Sequence, residues 1–459
     1  MTASVQATKQ LAEFAADTTF DSLSPKVREM MPMLMIDIFR AAAVGRPKAW
    51  SVDTLRAFEG LGSKETSSIF YENKKLDAQR AAYVNGTYAG SLDWDDSHAG
   101  ALIHPGVVIW PAALAVAEMT NADGKALLTA VSAGYEVAIR IGMSIQLSHS
   151  LRGFHGTTTC GTFGAATACA KLFGFDAKRM NSTLGLAASY ASGLSQFFVS
   201  GSDIKRIHAG KAAAQGVEVA LLAKADLTGP HDVIEGAQGF GQAVSDAFNV
   251  DVIVEDIGET FHTEGVLLKV HAGTARLQAA VEAAEIIARR GVDPSNIEKV
   301  EVGVHPAAMG KLSWNEPVDT QQAQLSAPFA VAMSLTLTGQ RDAPLILGLD
   351  DFDTCVKDPA IRALSARTVC VIDDEIAGAT TREVVPARVV AYLKDGSTEE
   401  AKVMVPKGSG NNPMPMDDVV SRYRMTVSEL MSEKQTDAWL EKAMNLTVLK
   451  ATSDLFAVA

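Results

Sequence analysis

The chain has 459 residues, 47% of them hydrophobic and 21% charged, and a formal net charge of −13. That length allows two or three domains, and the composition is that of an ordinary globular protein. The acidic balance offers no basic face to replace the counterions of nucleic acid, which excludes that partner, yet a few cations in a cleft could still hold a small anion. Four cysteines (Cys160, Cys169, Cys355, Cys370) are scattered without disulfide or metal-ligand spacing and read as reduced thiols. The N-terminal stretch lacks a basic region followed by an apolar core. No apolar run is read as long enough to span a membrane, residues 107–119 coming nearest. A cytoplasmic protein without a membrane partner is expected.

In chain order, Ser24-Pro25 sets a capping residue before a proline at the first helical position and opens a helix to residue 44. Helices rich in Ala, Leu and Val are predicted over 111–119, 125–145, 164–172, 176–198 and 211–224. Many are apolar on every side, as in the interior of a large bundle. After Gly273 the pattern changes. A helix over 274–290 precedes 297–305, where valines alternate with polar residues as in a strand. Further strands are predicted over 366–372, 387–393 and 400–405, with Lys394-Asp395-Gly396 in the hairpin joining the last two. A helix over 322–337 lies among them. A Gly/Pro-rich polar linker at 406–415 leads into helical periodicity over 416–444.

Three clusters carry the chemistry. Residues 92–105 hold Asp93, Asp95, Asp96, Ser97, His98 and His104. Asp93 and His104 form the pair of interest, since a carboxylate can orient an imidazole and tune it for proton transfer. Asp95 and Asp96 also suit helix capping, and His98 suits the surface. No metal is expected, because the spacing matches no ligand motif. In the second cluster His155 precedes three threonines at a helix start, where backbone amides favour an anion. Cys160 beside it is a weak nucleophile candidate. The third gathers Lys205, Arg206, His208 and Lys211; a lysine there can stabilise the charge left when a proton departs next to a carboxylate. Arg206 and Lys211 read as surface groups. A further candidate, Lys269 with His271, lies where the helical region gives way to the mixed one. No Walker A sequence, dinucleotide fingerprint or Gly-x-Ser-x-Gly elbow is present.

These segments resemble the MmgE/PrpD family, which includes 2-methylcitrate dehydratase, cis-aconitate decarboxylase and iminodisuccinate epimerase. The resemblance rests on residues 93–106 (DWDDSHAGALIHPG), 153–166 (GFHGTTTCGTFGAA), 201–223, 227–240 and 323–339, in order over nearly the whole chain. It implies a mainly α protein, with a large all-helical domain from both chain ends (1–268 and 407–459) and a smaller α+β lid domain (269–406). It also implies a homodimer and a cofactor-free site in a cleft between the domains. Asp93, Ser97, His104, His155, Lys205 and Lys269 would line that site, and small di- and tricarboxylates would be its substrates. Two positions depart from the family. Gln278 falls near the place of a common histidine, and Phe329 takes that of a tyrosine associated with decarboxylation. The span from Asp93 to His104 is also slightly longer than the decarboxylase pattern.

The expected function is therefore a cofactor-independent lyase on a small polycarboxylate, dehydration first, with an isomerase, epimerase or decarboxylase as the alternative. Lys205 and Lys269 would hold carboxylates. His104 and His155 would exchange protons, Asp93 would set the state of one imidazole, and Ser97, His208 and His271 would contact substrate. Replacing Lys205 by Met is expected to abolish turnover with little loss of fold. A catalytically dead carboxylate-binding homologue is the reading outside enzymology.

Overall fold

The computed structural model describes residues 5–310, 312–341 and 344–457. Its contacts divide the chain into two compact units, Met1–Val266 with Pro415–Ala459, and Leu267–Met414.

The first unit is helical. Ser24 accepts a hydrogen bond from the Val27 amide and Pro25 follows it, so the helix Pro25–Gly45 starts as its sequence dictates. The helices Gly106–Thr120, Gly124–Ile145 and Gly156–Leu172 are buried along most of their length. Glycines let them approach backbone to backbone. A Cβ on Gly134 would stand 2.6 Å from the Gly164 carbonyl oxygen, and one on Gly216 would stand 2.3 Å from the Ala165 Cβ. The helix Ile204–Lys224 thereby packs on Gly156–Leu172 and on Ala78–Gly90. From the far end of the chain, Trp439 stacks on Tyr423 and lies 4.7 Å from the Phe39 ring. Both chain ends thus share one core.

Several boundaries differ from the sequence expectation, each for a local reason. The helix read from Pro111 starts at Gly106 and carries Pro111 inside, at the cost of one backbone hydrogen bond. The threonines after His155 are already helical from Gly156, because Thr158 and Thr162 turn their hydroxyls back onto the carbonyls of His155 and Thr158. The single helix read over 176–198 breaks into Ala177–Tyr190 and Phe197–Ser200. Between them Gly193 has φ +151° and lies so close to Thr158 that a Cβ there would be 2.2 Å from its Oγ1. The helix read from Lys211 starts at Ile204. Ala7–Asp17, Ala49–Glu59 and Ala78–Gly90 are additional helices. Contrary to the membrane reading, Gly124–Ile145 is long and apolar enough to span a bilayer by length and composition. It is a core helix, holding the fully buried Glu136–Arg140 ion pair at 2.8 Å.

In the second unit, strand Ile297–Val304 runs parallel to Thr368–Ile372 on one side and antiparallel to Ala387–Leu393 on the other. Thr398–Val403 completes the sheet, after a turn in which Gly396 has φ +88°. The helices Gln278–Arg289 and Ala327–Leu337 pack together and on the sheet. Leu349–Cys355 and Pro359–Ala366 are helices the sequence reading passed over. The stretch expected to be a linker is anchored instead: Leu268 N–H donates to Gly408 O at 2.9 Å and Lys407 N–H to Glu282 Oε2 at 3.0 Å. The helical run over 416–444 is two helices, Met416–Val427 and Glu433–Met444, the second capped by Ser432.

Candidate active site

The first cluster folds into a tight loop with two non-glycine residues in the left-handed region. Asp93 has φ +56° and Leu102 φ +53°. Asp tolerates the left-handed region better than most residues, and such positions concentrate at functional sites. His98 N–H donates to Ile103 O at 3.0 Å, Ala101 N–H to His98 Nδ1 at 3.1 Å, and Ser97 Oγ to Ile103 O at 3.3 Å. His98 is therefore no surface group. It is fully buried, and burial pushes its pKa down to about 3, so it closes the loop as a neutral ring. Arg206, expected on the surface, is also buried and donates to Ser91 O at 2.8 Å, while Arg40 donates to Trp94 O. These two guanidinium groups brace the backbone on both sides of Asp93.

The loop presents His104 between two carboxylates. Nδ1 lies 2.8 Å from Asp95 Oδ2 and Nε2 lies 3.5 Å from Asp93 Oδ1. The His104 N–H donates to Thr157 Oγ1 at 3.1 Å, which ties the loop to the His155 helix. Asp95 is thus a ring partner rather than a helix cap. Asp96 does serve a helix start, accepting from Gly106 N–H at 3.0 Å and from Tyr135 Oη at 2.7 Å. Burial, reinforced by the charge of Asp95, raises its pKa to about 8. Lys205 closes the constellation, its Nζ donating to Asp93 Oδ2 at 2.6 Å with both side chains nearly buried.

His155 and His208 form a second pair, with Nδ1 facing Nδ1 at 2.9 Å. The Phe197 ring meets both edge-on. His155 is held at its helix start by Gly193, whose carbonyl accepts its N–H at 3.0 Å. Burial lowers both rings' affinity for a proton, His155 well below the ordinary histidine value and His208 to about 4, and the neighbouring Lys205 acts in the same direction. Because His104, Lys205 and Asp93 all act on the charge of His155, the two pairs belong to one electrostatic site. His208, expected to contact substrate, is almost fully buried against His155.

The remaining expected residues have the following surroundings. Lys211 donates to Ser192 Oγ at 2.7 Å at the surface. Cys160 is buried, and burial raises its thiol pKa, so it offers no thiolate. In the second unit Lys269 and His271 are both buried, and His271 Nδ1 accepts from Leu347 N–H at 3.3 Å. Gln278 ties down the chain around His271. Its Oε1 accepts from the amides of Val270 and His271, and its Nε2 donates to His271 O. Phe329 is a fully buried core residue of the helix Ala327–Leu337.

Asp93, Asp95 and His104 place one ligand atom each within 4.8 Å of one another, a spacing that could hold a cation. The Lys205 ammonium already lies on Asp93, and a divalent ion there would face its repulsion. A cavity of 660 Å³ opens elsewhere in the first unit, beside Glu59, Glu65, Glu72, Lys74 and Phe456. Most of its charged groups are paired, as in Lys74–Glu59, Arg46–Glu72 and Lys75–Glu118, and no imidazole lines it. The imidazoles gather instead at the Lys205 cluster. Sequence reasoning missed Tyr135, read Asp95 as a helix cap, and took Thr157 and Thr158 only as part of an anion-favouring helix start. Only the nine-residue spacing of Asp95 from His104 was visible, and Tyr135 lies on a different helix.

The helical unit thus gathers a buried ammonium, two imidazole systems and supporting carboxylates, groups able to transfer protons and hold an anion. Residues 9–253 match the MmgE/PrpD N-terminal domain and residues 271–446 the MmgE/PrpD C-terminal domain. The chain belongs to the MmgE/PrpD family. It is 24% identical to a cis-aconitate decarboxylase-like protein, oryM, of Aspergillus oryzae, over 98% of this chain and 96% of the relative. It is 25% identical to cis-aconitate decarboxylase of Aspergillus terreus, over 93% of this chain and 90% of that protein. It is 24% identical to cis-aconitate decarboxylase of Homo sapiens, over 83% and 79% respectively.

Proposed function

We propose that the protein is a lyase that breaks a bond next to a carboxylate of a small di- or tricarboxylate, binding it and moving protons with side chains alone. The observation that carries this reading is the single electrostatic cluster of Lys205 on Asp93, His104 between two carboxylates, and the neutral His155–His208 pair. Lys205 turns from Asp93 toward a substrate carboxylate and stabilises the negative charge that develops beside it. One ring takes a proton and the other returns one, a contribution of about 10²- to 10⁴-fold.

Two reactions fit, and different observations favour them. Dehydration of a hydroxy-polycarboxylate of the 2-methylcitrate type uses everything in the cluster. The neutral His155 removes the α-proton, the electron pair forms the double bond, and His104 protonates the departing hydroxyl. Decarboxylation of a cis-aconitate-type substrate is the second reading, favoured by the relatives' activity. There the bond to one carboxylate breaks, carbon dioxide leaves, the electron pair spreads into the remaining conjugated system, and an imidazolium supplies the proton. Phe329 has no phenolic proton to give in either case. A homodimer, implied by the family, belongs to the same proposal and is read from the solution mass.

The deciding experiment is proton and carbon NMR of the purified protein in deuterated water with methylcitrate, cis-aconitate, citrate, tartrate and iminodisuccinate. Loss of water identifies the dehydratase and loss of carbon dioxide the decarboxylase. Deuterium exchange with nothing lost identifies an isomerase or epimerase and overturns the lyase reading. Ligand-dependent thermal stabilisation without turnover overturns the enzymatic one.

A further inference from the structure

The His155–His208 contact poses a question of proton placement. Two imidazole Nδ1 atoms 2.9 Å apart cannot both present lone pairs, so one proton lies between them. Burial of both rings keeps each neutral at physiological pH, which leaves two arrangements. Either His155 carries its proton on Nδ1 and exposes an Nε2 lone pair, or His208 does so and His155 exposes an Nε2 proton.

Thr158 distinguishes them. Its hydroxyl lies 3.0 Å from the carbonyl oxygen of His155 and 3.4 Å from His155 Nδ1. The shorter contact takes the hydroxyl proton, a common arrangement for threonine within a helix. A Thr158 lone pair is then left toward Nδ1, where it can only meet a donor. The helix start acts with burial to keep the ring neutral. His155 is the N-cap of Gly156–Leu172, where the partial positive charge of the helix end opposes a second proton on the ring. The Phe197 ring edge-on to both imidazoles shields the shared proton from water.

We infer that His208 is a positioning residue: by accepting the Nδ1 proton of His155, it fixes the tautomer in which His155 Nε2 is the base of the site. The inference rests on the proton-transfer reading above but assigns His208 a different part from the substrate contact expected of it. His208 needs no access to substrate. Its Nδ1 is a hydrogen-bond acceptor, and its own Nε2 carries the proton.

The test has two arms. In the first, the wild-type protein labelled with ¹⁵N-histidine is examined by two-bond nitrogen–proton correlation near neutral pH, with His155 assigned by comparison with His155→Gln. The expected result is a protonated, pyrrole-type Nδ1 and a pyridine-type Nε2 on His155, with the reverse on His208. A protonated Nε2 on His155 overturns the inference, whatever the enzyme turns over. The second arm uses the substrate found in the NMR panel. His208→Asn keeps an acceptor oxygen near the position of Nδ1 and is expected to retain kcat within about fivefold. His208→Leu removes the acceptor and is expected to lower kcat by about 10²-fold, the lower end of an acid/base contribution, with KM changed less than threefold. A folded His208→Leu protein with wild-type kcat, or a rise in KM at unchanged kcat, refutes the positioning role. Absence of any turnover defeats the functional reading but leaves the first arm intact.

Discussion

Replacing Lys205 by Met exposes how far the candidate site is also a structural device. The Lys205 ammonium lies 2.6 Å from Asp93 Oδ2, and the side chains are 9% and 3% exposed. At that distance and an effective dielectric of about 20, the Coulomb attraction is about 6 kcal/mol, against which stands the cost of taking both ions out of water. Removing only one partner leaves an uncompensated buried carboxylate, typically about 3–5 kcal/mol in stability. His104 Nε2, 3.5 Å from the other Asp93 oxygen, remains to screen it, so the lower end, about 3 kcal/mol, is expected. This revises the expectation, drawn from sequence, that the substitution spares the fold. Activity should fall by at least about 10²-fold, as for loss of one preorganised electrostatic donor. The double variant Asp93→Asn/Lys205→Met removes both charges and should recover most of the lost stability while staying inactive. Urea unfolding of the wild type, both single variants and the double variant measures this. If Lys205→Met unfolds within about 1 kcal/mol of wild type, or the double variant is no more stable than the single, the ion pair does not brace the loop.

Asp95→Asn keeps an oxygen 2.8 Å from His104 Nδ1 but removes its charge; kcat should fall about 10²-fold while the melting temperature stays within a few degrees, and an unaffected kcat would remove Asp95 from the site. The buried Asp96 has its pKa raised from 3.8 to about 8, so the folded state holds a proton that the unfolded chain releases. Its contribution is fully present below pH 4 and is lost as pH rises toward 8, at up to about 1.4 kcal/mol per unit. The stability of Asp96→Asn relative to wild type should therefore increase between pH 5 and pH 8, and parallel pH profiles for the two would contradict the assignment. Gly106→Ala would place a Cβ 2.5 Å from both Asp96 Oδ1 and Tyr135 Oη. The expected loss is about 1–3 kcal/mol with reduced turnover through His104 two residues away, and a fully stable, fully active variant would show that the loop can yield.

The buried helices, the central sheet strands and the 387–393 strand of the hairpin were legible in the chain, because apolar periodicity and turn chemistry are local. So were Asp93, His104, His155 and Lys205 as a group, because unusual concentrations of acid, imidazole and ammonium stand out against Ala- and Leu-rich helices. The roles within that group were not legible. Asp95 looked like a cap, His98 and Arg206 like surface residues, and His208 like a substrate contact. Each role depends on a partner elsewhere: His208 meets a ring 53 residues away, Tyr135 meets Asp96 from 39 residues away, and Arg206 reaches Ser91 across 115 residues. Residue type and spacing reveal which groups are available for proton chemistry. Whether a ring ends up neutral, paired or facing a ligand is set by burial and by the groups the packed helices bring against it, and those exist only once the chain has closed on itself.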